Sequence, residues 1–342
     1  KANSNASPRD WDIIGATVDG SSETGLGELA NEAAIKSYLD TYTSDWKEQD
    51  PDNVNATIDF RQAHHAGIIW STDFGDLQST KYNMAAASNG TRGIFMGGYD
   101  GYPNQSNVIG HVTIDTAGNA ADFGNLTAGR GATTGMSNRV RGLAAGGGDN
   151  TVGYSNVIDH FAIASLGNAA DFGNLTQSRG QGSSVNNATR GIHAGGIIAT
   201  NNNQDTIDFI EIASTGNAVD FGDLLADNNY LAGCSSSIRG VFSAGQTPSN
   251  SDVRQFITIA SYGNAVDFGD CTVTSSRNAS TSNSVRGLFF PGDAPGGNSN
   301  IIEHFLISSA GDGIDFGDLS VTRANMTATS DSHGGLTEGF DR

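Results

Sequence analysis

Apolar residues along most of this chain come in short runs that alternate with polar positions, and clusters of Gly, Asn, Ser and Asp separate the runs. The stretch NVIGHVTI is representative, because it is rich in β-branched residues and a Gly-Asn turn follows it. Short runs of this type bounded by turn residues predict strands joined by tight turns. No repeated segment carries a helical apolar spacing over ten residues or more. The pattern predicts an all-β fold.

The same pattern repeats along the chain. The nine residues NAADFGNLT occur twice unchanged, at 119–127 and at 168–176. Asp-Phe-Gly recurs at steps of 49, 49, 49, 47 and 48 residues, with its aspartates at Asp73, Asp122, Asp171, Asp220, Asp267 and Asp315. An Arg-Gly pair follows 19 residues after each of the first five, with its arginines at Arg92, Arg141, Arg190, Arg239 and Arg286. Units of this length with four short strands each predict the blades of a β-propeller.

The two ends of the repeat region complement each other. The first unit begins at residues 56–60 without an Arg-Gly strand, whereas the last unit finishes with an orphan strand at 334–340. We expect the C-terminal segment 334–342 to complete the blade begun at the N-terminal side, which closes the ring and leaves no exposed sheet edge. The expected fold is a six-bladed propeller over residues 56–342, with one blade for each Asp-Phe-Gly copy.

Residues 1–55 differ in kind from the repeats. Four apolar residues follow one another at spacings of 4, 3 and 4, namely Ile35, Leu39, Tyr42 and Trp46. This spacing predicts one amphipathic helix, which Pro51 ends. Two roles stay open for this short helical arm: it packs against the propeller, or it attaches the protein to a larger assembly.

The glycine doublets carry a family resemblance. The runs RGIFMGGYDG, RGLAAGGGDN and RGIHAGG resemble the signature of the kelch-type propeller, over roughly residues 56–342. The doublet erodes to Ala244-Gly245 and Pro291-Gly292, and the Phe of Asp-Phe-Gly takes the place of the family's later bulky residues. The sequence pattern GNAxDFGDL, combined with RGxFxGG, is similar to the repeats of proteins from marine bacteriophages. This resemblance implies a tail-fibre or other virion component.

Composition narrows the classes of partner. The 342 residues carry a net charge of −19, which repels phosphate backbones and anionic lipid, so we expect no nucleic-acid partner. No apolar run approaches the ~20 residues that span a bilayer, so we expect no membrane insertion. Abundant Gly, Asn, Ser and Thr are typical of extracellular β-structure. Cys234 and Cys271 occupy non-equivalent positions, which leaves one bridge or two free thiols open.

The repeated arginines and aspartates are the most regular charges of the chain, and two roles stay open for them. In one, a ring of Arg–Asp pairs lines a channel that binds an anion or a sugar. In the other, each arginine bonds the Asp-Phe-Gly turn of its own or the adjacent blade, through carboxylate and backbone acceptors. Because every blade requires these residues, we expect them to serve blade geometry.

No residue set predicts a metal, a cofactor or a catalytic centre. Three histidines share one strand position with two phenylalanines, which indicates a packing position rather than a metal site: His111, His160, His304, Phe209 and Phe256. Asp100 and Asp149 follow the glycine doublet and could help to hold Ca²⁺, but no full calcium loop is present. Single-copy acids that could form a glycosidase pair are few, with Glu211 and Glu303 among them.

Function is expected where the units differ, in the loops after the doublet. These loops project from one face of a propeller, and their Tyr, Asn and Ser residues resemble a paratope in composition. The candidate ligand-binding residues are Tyr99, Tyr102, Asn104, Asp149, Tyr154 and Asn202. The alternative is that these loops are solvated turns without a ligand.

These observations favour a non-enzymatic virion or cell-surface protein, with a tail fibre or similar appendage as the first expectation. It would occur in many copies, contact other virion proteins through residues 1–55 and recognise a host receptor or glycan. The alternatives are a secreted carbohydrate-active enzyme and a bacterial surface adhesin. An intracellular kelch adaptor fits the composition poorly.

Overall fold

The computed structural model describes residues 74–101, 103–149 and 153–329, and every regular element in these ranges is a β-strand. The strands form small antiparallel sheets arranged as the blades of a propeller, so the all-β propeller prediction is confirmed for this part of the chain. The predicted N-terminal helix lies outside the described residues, as does Asp73.

The first three blades are four-stranded antiparallel sheets whose strands follow one another in chain order. Blade 1 contains β1 (Ala85–Ser88), β2 (Arg92–Met96), β3 (Val108–Thr113) and β4 (Ala121–Asn125). Blade 2 contains β5 (Thr134–Ser137), β6 (Arg141–Ala145), β9 (Val157–Ala162) and β10 (Ala170–Asn174), with the hairpin β7 (Gly148–Asp149) and β8 (Gly153–Tyr154) between β6 and β9. Blade 3 contains β11 (Ser183–Asn186), β12 (Arg190–Ala194), β13 (Gln204–Glu211) and β14 (Val219–Asn228).

The last two described blades have the same order. Blade 4 contains β15 (Ala232–Ser235), β16 (Arg239–Thr247), β17 (Ser249–Thr258) and β18 (Val266–Ser275). Blade 5 contains β19 (Ala279–Ser282), β20 (Arg286–Phe290), β22 (Gly297–Leu306) and β23 (Ile314–Arg323), and the short β21 (Asp293–Ala294) pairs with the start of β22. In each blade the first strand is the inner strand and the fourth is the outer strand.

The inner strands surround a central channel, and a sixth segment joins them. Neighbouring inner strands contact one another from β1 through β19, and residues 326–328 line the channel beside them. A residue with a left-handed φ of 53–60° lies two positions before each inner strand and directly before residues 326–328, and the six are Asn83, Ala132, Gln181, Tyr230, Arg277 and Asn325. The Asn83 N–H donates to the Asn325 carbonyl at 3.4 Å. The described part therefore has five blades and a sixth inner segment, while the sixth blade of the sequence prediction is not confirmed.

The Asp-Phe-Gly motif connects each outer strand to the next blade. The N–H groups of Gly167 and Ala169, in the turn before the outer strand of blade 2, donate to the carbonyls of Phe123 and Asn125 at 2.9 and 2.8 Å. In return, the Asn125 N–H donates to Asn168 Oδ1 at 3.0 Å. The same two backbone bonds recur at five interfaces, for which the acceptor pairs are Phe74 and Asp76, Phe123 and Asn125, Phe172 and Asn174, Phe221 and Asp223, and Phe268 and Asp270. The repeated nine residues therefore form a contact between blades, which we call the interblade latch.

The repeated arginines also reach the following blade, through a backbone acceptor. Arg92 Nη1 donates to the Ile163 carbonyl at 2.8 Å, and Arg141 Nη1 donates to the Ile212 carbonyl at 2.8 Å. Arg190 and Arg239 make the equivalent bonds one and two blades further on. Among the described residues, no ion pair joins these arginines to the Asp-Phe-Gly aspartates, whereas the Arg190 guanidinium pairs with exposed Glu211 at 3.5 Å.

The Phe of the motif lies in the core between blades. Phe123 and Phe268 are buried, and their rings meet those of Phe161 and Phe305 of the next blade edge to face, with centroids 5.2 and 5.6 Å apart. Full burial of such a side chain stabilises the fold by about 1.5–3 kcal/mol. The bulky position expected from the sequence is thus an interblade position.

The latch predicts that the glycine of Asp-Phe-Gly cannot be replaced. In Gly173→Ala, the new Cβ would lie 2.3 Å from the Gly216 carbonyl oxygen, at a φ of +148°. We expect the free energy of unfolding to fall by about 1–3 kcal/mol, measured by denaturant unfolding. The matched control is Gly216→Ala on the other side of the contact, where no atom lies within 4 Å of the added Cβ. An equal effect of both substitutions would contradict the latch.

Candidate functional site

The connections of the five blades lie at two ends of the sheets and define two faces. In an antiparallel meander alternate connections share an end. The links from first to second strand and from third to fourth strand therefore form one face, the turn face. The links from second to third strand, with the segments that lead to the next inner strand, form the opposite loop face. The candidate binding residues belong to the loop face.

Tyr99 lies within the loop face and is buried, with 6% of the residue exposed. Its ring stacks on Tyr82, with 5.2 Å between centroids, and its hydroxyl donates to the Gly148 carbonyl of blade 2. The ring also covers Gly131, where an added Cβ would overlap it. Tyr99 therefore joins blades 1 and 2.

Tyr154 lies at the comparable place one interface further on. Its half-buried ring lies against Gly180, where an added Cβ would come within 2.7 Å of the ring. The two tyrosines occupy different positions in their loops, so the sequence did not show that they serve the same contact.

Asn104 and Asn202 are the candidate residues that the structure leaves exposed at loop tips. Their backbones close turns: the Asn104 N–H donates to the Gly101 carbonyl at 2.8 Å, and the Asn202 carbonyl accepts from the Ile198 N–H at 3.2 Å. Tyr102 lies outside the described residues, and Asp149 ends β7. The six candidates therefore do not form one pocket in the described part of the loop face.

The loops carry contacts between blades that sequence reasoning missed. The carbonyl after the doublet accepts from the preceding blade's loop at three interfaces, through the pairs Tyr99 to Gly148, Asn203 to Gln246 and Asn250 to Asp293. Both asparagine bonds measure 2.8 Å. The two asparagines share one position of the repeat, 17 residues before the aspartate of their Asp-Phe-Gly motif, whereas Tyr99 lies elsewhere in its loop. Part of the loop variation therefore serves stability.

The central channel holds a small polar cavity of about 120 Å³. It is lined by six inner segments, at 84–86, 133–135, 182–184, 231–233, 278–280 and 326–328. This volume holds roughly four waters and lies well below the roughly 300 Å³ from which small-molecule pockets begin. The channel therefore suits ordered water better than a sugar.

Buried ion pairs cross two blade interfaces. Arg130 Nη2 lies 2.7 Å from Asp159 Oδ2, and Arg179 Nη2 lies 2.8 Å from Asp208 Oδ2, with all four side chains buried. Burial lowers the pKa of both arginines, and the charge and hydrogen bond of the paired aspartate oppose that change. Each guanidinium also donates to two backbone carbonyls and so joins blades, while the Nε of each has no hydrogen-bond partner.

Both partners change together at the interface of blades 3 and 4. Asn228 stands at the position of Arg130 and Arg179, and Gln255 stands at the position of Asp159 and Asp208. Asn228 Nδ2 donates to the Ala244 carbonyl at 2.9 Å, and Gln255 Oε1 accepts from the Leu225 N–H at 2.8 Å. A neutral pair avoids the cost of leaving one buried charge without its partner.

At the interface of blades 4 and 5 the guanidinium comes from the third strand of blade 4 and not from the segment that follows a fourth strand. Arg254 Nη2 lies 3.2 Å from Glu303 Oε2, and both side chains are fully buried. The other blades carry isoleucine at the position of Arg254, namely Ile109, Ile158, Ile207 and Ile302. Glu303, a candidate for acid chemistry in the sequence, is thus held in an interblade ion pair, and Thr272 Oγ1 donates to it as well.

Both cysteines are free and buried. Arg254 Nη2 donates to Cys271 Sγ at 3.2 Å. Burial raises the pKa of Cys234 and of Cys271 to about 12, which keeps both thiols protonated and unreactive near neutral pH. Of the two alternatives left by the sequence, the free thiols are the ones observed.

The shared histidine and phenylalanine position is a packing position. His111, His160 and His304 meet the motif Phe of their own blade edge to face, and Phe256 meets Phe268 in the same way. In the described ranges no group of three His, Cys, Asp or Glu residues is placed to hold a metal ion. Nor do these ranges contain a helix long and apolar enough to cross a membrane.

Comparison with known proteins adds no family to this description. No protein-family model matches the chain, and a search of curated proteins finds no match.

His193 predicts a pH dependence of stability. It is fully buried between blades 2 and 3, where Nδ1 lies 2.8 Å from Thr134 Oγ1 and Nε2 has no hydrogen-bond partner. Burial first, and then the charge of Arg179, hold its pKa well below the usual value of 6.5. The unfolded chain therefore takes up a proton that the folded state refuses. We expect the free energy of unfolding to fall as the pH drops below about 6.5, by at most about 1.4 kcal/mol per pH unit.

Urea unfolding at several pH values checks this prediction. In His193→Phe, which installs the residue found at this position in blade 4 as Phe242, that contribution should vanish. The control His160→Phe, at a position where blades 3 and 4 carry Phe, should keep it. Retention of the full slope in His193→Phe would show that another group is responsible.

The buried Arg254–Glu303 pair predicts that substitutions of the two residues have strongly coupled effects on the free energy of unfolding. Arg254→Ile leaves the buried Glu303 carboxylate without its partner, so we expect a loss of about 3–5 kcal/mol in the free energy of unfolding. Adding Glu303→Gln should restore much of this loss, because Gln255 already serves this position in blade 4. Denaturant unfolding of the double-mutant cycle gives the coupling. Glu211→Gln, which breaks an exposed pair, should change stability by less than about 1 kcal/mol. A loss in Glu211→Gln as large as that in Arg254→Ile would contradict the assignment.

Proposed function

We propose that this protein is a non-enzymatic structural component of a virion or cell-surface appendage, with a tail fibre as the first candidate, and that its propeller displays the loop face to a host receptor or glycan. One observation carries the proposal: the repeated residues are used in contacts between blades, while exposed polar residues that differ between blades remain on one face. A rigid ring that presents variable loops is a common form of recognition surface.

The proposed complete fold has six kelch-like blades. Residues 74–76 make with blade 1 the same latch that each later outer strand makes with its successor, and residues 326–328 line the channel as the inner strands do. These two segments fit the outer and inner strands of one further blade, completed by residues 56–73 and 334–342. End-on cryo-electron microscopy averages with five blades, or with an open ring, would refute this count.

The proposed mechanism is multivalent. Asn104 and Asn202 lie at exposed loop tips of different blades, so each is suited to weak contacts that many copies multiply. Residues 1–55 would then attach the propeller to other appendage proteins. The resemblance of the repeat sequence to marine bacteriophage proteins favours a location in a virion over a location in a cell envelope.

The alternative functions predict different features. A carbohydrate-active enzyme requires two carboxylates about 5–10 Å apart in a pocket that admits a sugar. Glu303 is sealed between blades and Glu211 pairs with Arg190 on the surface, so neither supplies that arrangement. A bacterial adhesin would use the same loop face and differs only in where the protein is found.

Loop variants test the recognition role. We expect Asn104→Ala combined with Asn202→Ala to weaken binding of the labelled protein to intact host cells about fivefold or more, measured by flow cytometry. The matched control is Ser214→Ala with Thr215→Ala on the turn face of blade 3, which should bind as the wild type does. Equal binding by all three proteins would count against recognition by these loops.

Localisation separates the appendage from the alternatives. Immunogold electron microscopy of the source culture and its phage lysate should place the label at one end or appendage of phage particles. Label on cell envelopes, with bare virions, would replace the virion role by an adhesin role. Label only in solution would favour the secreted enzyme.

A further inference from the structure

The contact between residues 74–81 and blade 1 lacks an acceptor that the later interfaces have. At each of the four later interfaces in the described ranges, a side-chain oxygen on a third strand accepts a hydrogen bond from a backbone N–H of the preceding blade, at 2.8–3.1 Å. The donors and acceptors are Thr127 with Asp159, Thr176 with Asp208, Leu225 with Gln255, and Thr272 with Glu303. Before blade 1, Gln78 and Gly110 stand at these two positions. Because Gly110 has no side chain, it cannot supply the acceptor.

The cation of this interface is nevertheless retained, as Lys81. It stands at the position of Arg130, whose guanidinium pairs with buried Asp159. The Lys81 side chain is only 7% exposed, and its Nζ donates to Ser106 Oγ at 2.8 Å and lies 4.0 Å from the half-exposed carboxylate of Asp100. Burial lowers the pKa of Lys81, and the Asp100 charge opposes that change. A lysine ammonium has three donors, so this buried cation retains donors for a further acceptor.

A cavity of about 10 Å³ is lined by both positions. Its wall includes Gln78, Lys81, Gly97, Val108 and Gly110, and the counterparts of these residues surround the buried ion pair of the next interface. The volume holds about one particle of the size of water. The Gln78 amide oxygen would lie 3.0 Å from a Cβ added at Gly110, and the amide can also turn its NH2 group toward this space. The cavity is therefore polar and has donors on two sides.

We infer that this cavity binds one small monovalent anion, of the size of chloride, between the Lys81 ammonium and the Gln78 N–H. In the next interface the counterparts of these two donors, the Arg130 guanidinium and the Thr127 N–H, hold the carboxylate of Asp159. The anion takes the place of that carboxylate. Chloride is slightly larger than water, and the exposed Gln78 side chain provides the additional room. A water molecule would accept the hydrogen bonds but would not compensate the buried charge. The inference does not rest on receptor recognition.

Urea unfolding at constant ionic strength tests the site. Mixtures of sodium chloride and sodium gluconate keep the screening of surface charges constant while the chloride concentration changes, and gluconate is too large for the cavity. A ligand that binds only the folded state stabilises it, so the unfolding equilibrium constant of the wild type should fall about elevenfold at ten times the dissociation constant. Asp100→Asn, which removes the nearby carboxylate, should tighten chloride binding about threefold.

Variants of the cavity separate a specific site from a general salt effect. Gln78→Thr with Gly110→Asp installs the two residues of the next interface, and its own carboxylate should abolish the chloride dependence. Lys81→Met removes the cation and should abolish it as well. The matched control Gly216→Asp makes the same glycine-to-aspartate change at an exposed turn, where no atom lies within 4 Å of the added Cβ. This control should keep the chloride dependence of the wild type.

Anomalous scattering from crystals soaked in sodium bromide locates the anion. We expect a peak beside Lys81 Nζ in the wild type and none in Gln78→Thr/Gly110→Asp. A water molecule in its place, with no chloride dependence in solution, would overturn the inference. So would bromide binding at crystal concentration only, or a chloride dependence that is equal in the wild type and all variants. Circular dichroism establishes that each variant is folded.

Discussion

The structure depends on satisfying the outer edge of each blade. A four-stranded antiparallel sheet leaves the N–H and carbonyl groups of its last strand without a partner, and such an edge favours aggregation. Here the turn of the next blade donates two N–H groups to that edge, and an Asn or Asp side chain accepts a third bond in return. The contact is so close that Gly173 has no room for a Cβ. A blade is therefore incomplete without its successor, which is why the same nine residues recur.

Contacts between blades explain the buried charges as well. Burying an arginine is tolerable only when a carboxylate and backbone acceptors surround it. The interfaces that bury an arginine meet this condition, as in Arg130 with Asp159 and Arg254 with Glu303, whereas the interface of blades 3 and 4 carries the uncharged Asn228 and Gln255 instead. Where the arginine lies on the third strand of the preceding blade, as Arg254 does, the acid is Glu instead of Asp. The two residues of a pair must therefore change together, because changing one of them alone would leave a buried charge without its partner.

The residues that stabilise the fold lie in different places from those that remain available for function. The latch, the arginines beside the turns and the buried pairs lie between blades, and Tyr99 joins them there although it belongs to a variable loop. What remains exposed is the polar loop tips on one face and apolar side chains beside arginines on the other. The proposed recognition role uses the polar loop tips, because these residues are not the ones that join the blades.

The sequence by itself determined the strands, the repeat and the succession of blades, because strand periodicity and turn chemistry act between near neighbours and a repeated unit must bury its faces against copies of itself. It also located the packing position shared by His160 and Phe256. Only the tertiary structure decided which residues meet across an interface. Arg254 and Glu303 lie 49 residues apart, and Tyr99 reaches Gly148 over the same separation. Such contacts depend on how adjacent blades are placed, which no local pattern encodes, so loop residues that looked alike in the sequence proved to be structural in one case and exposed in another.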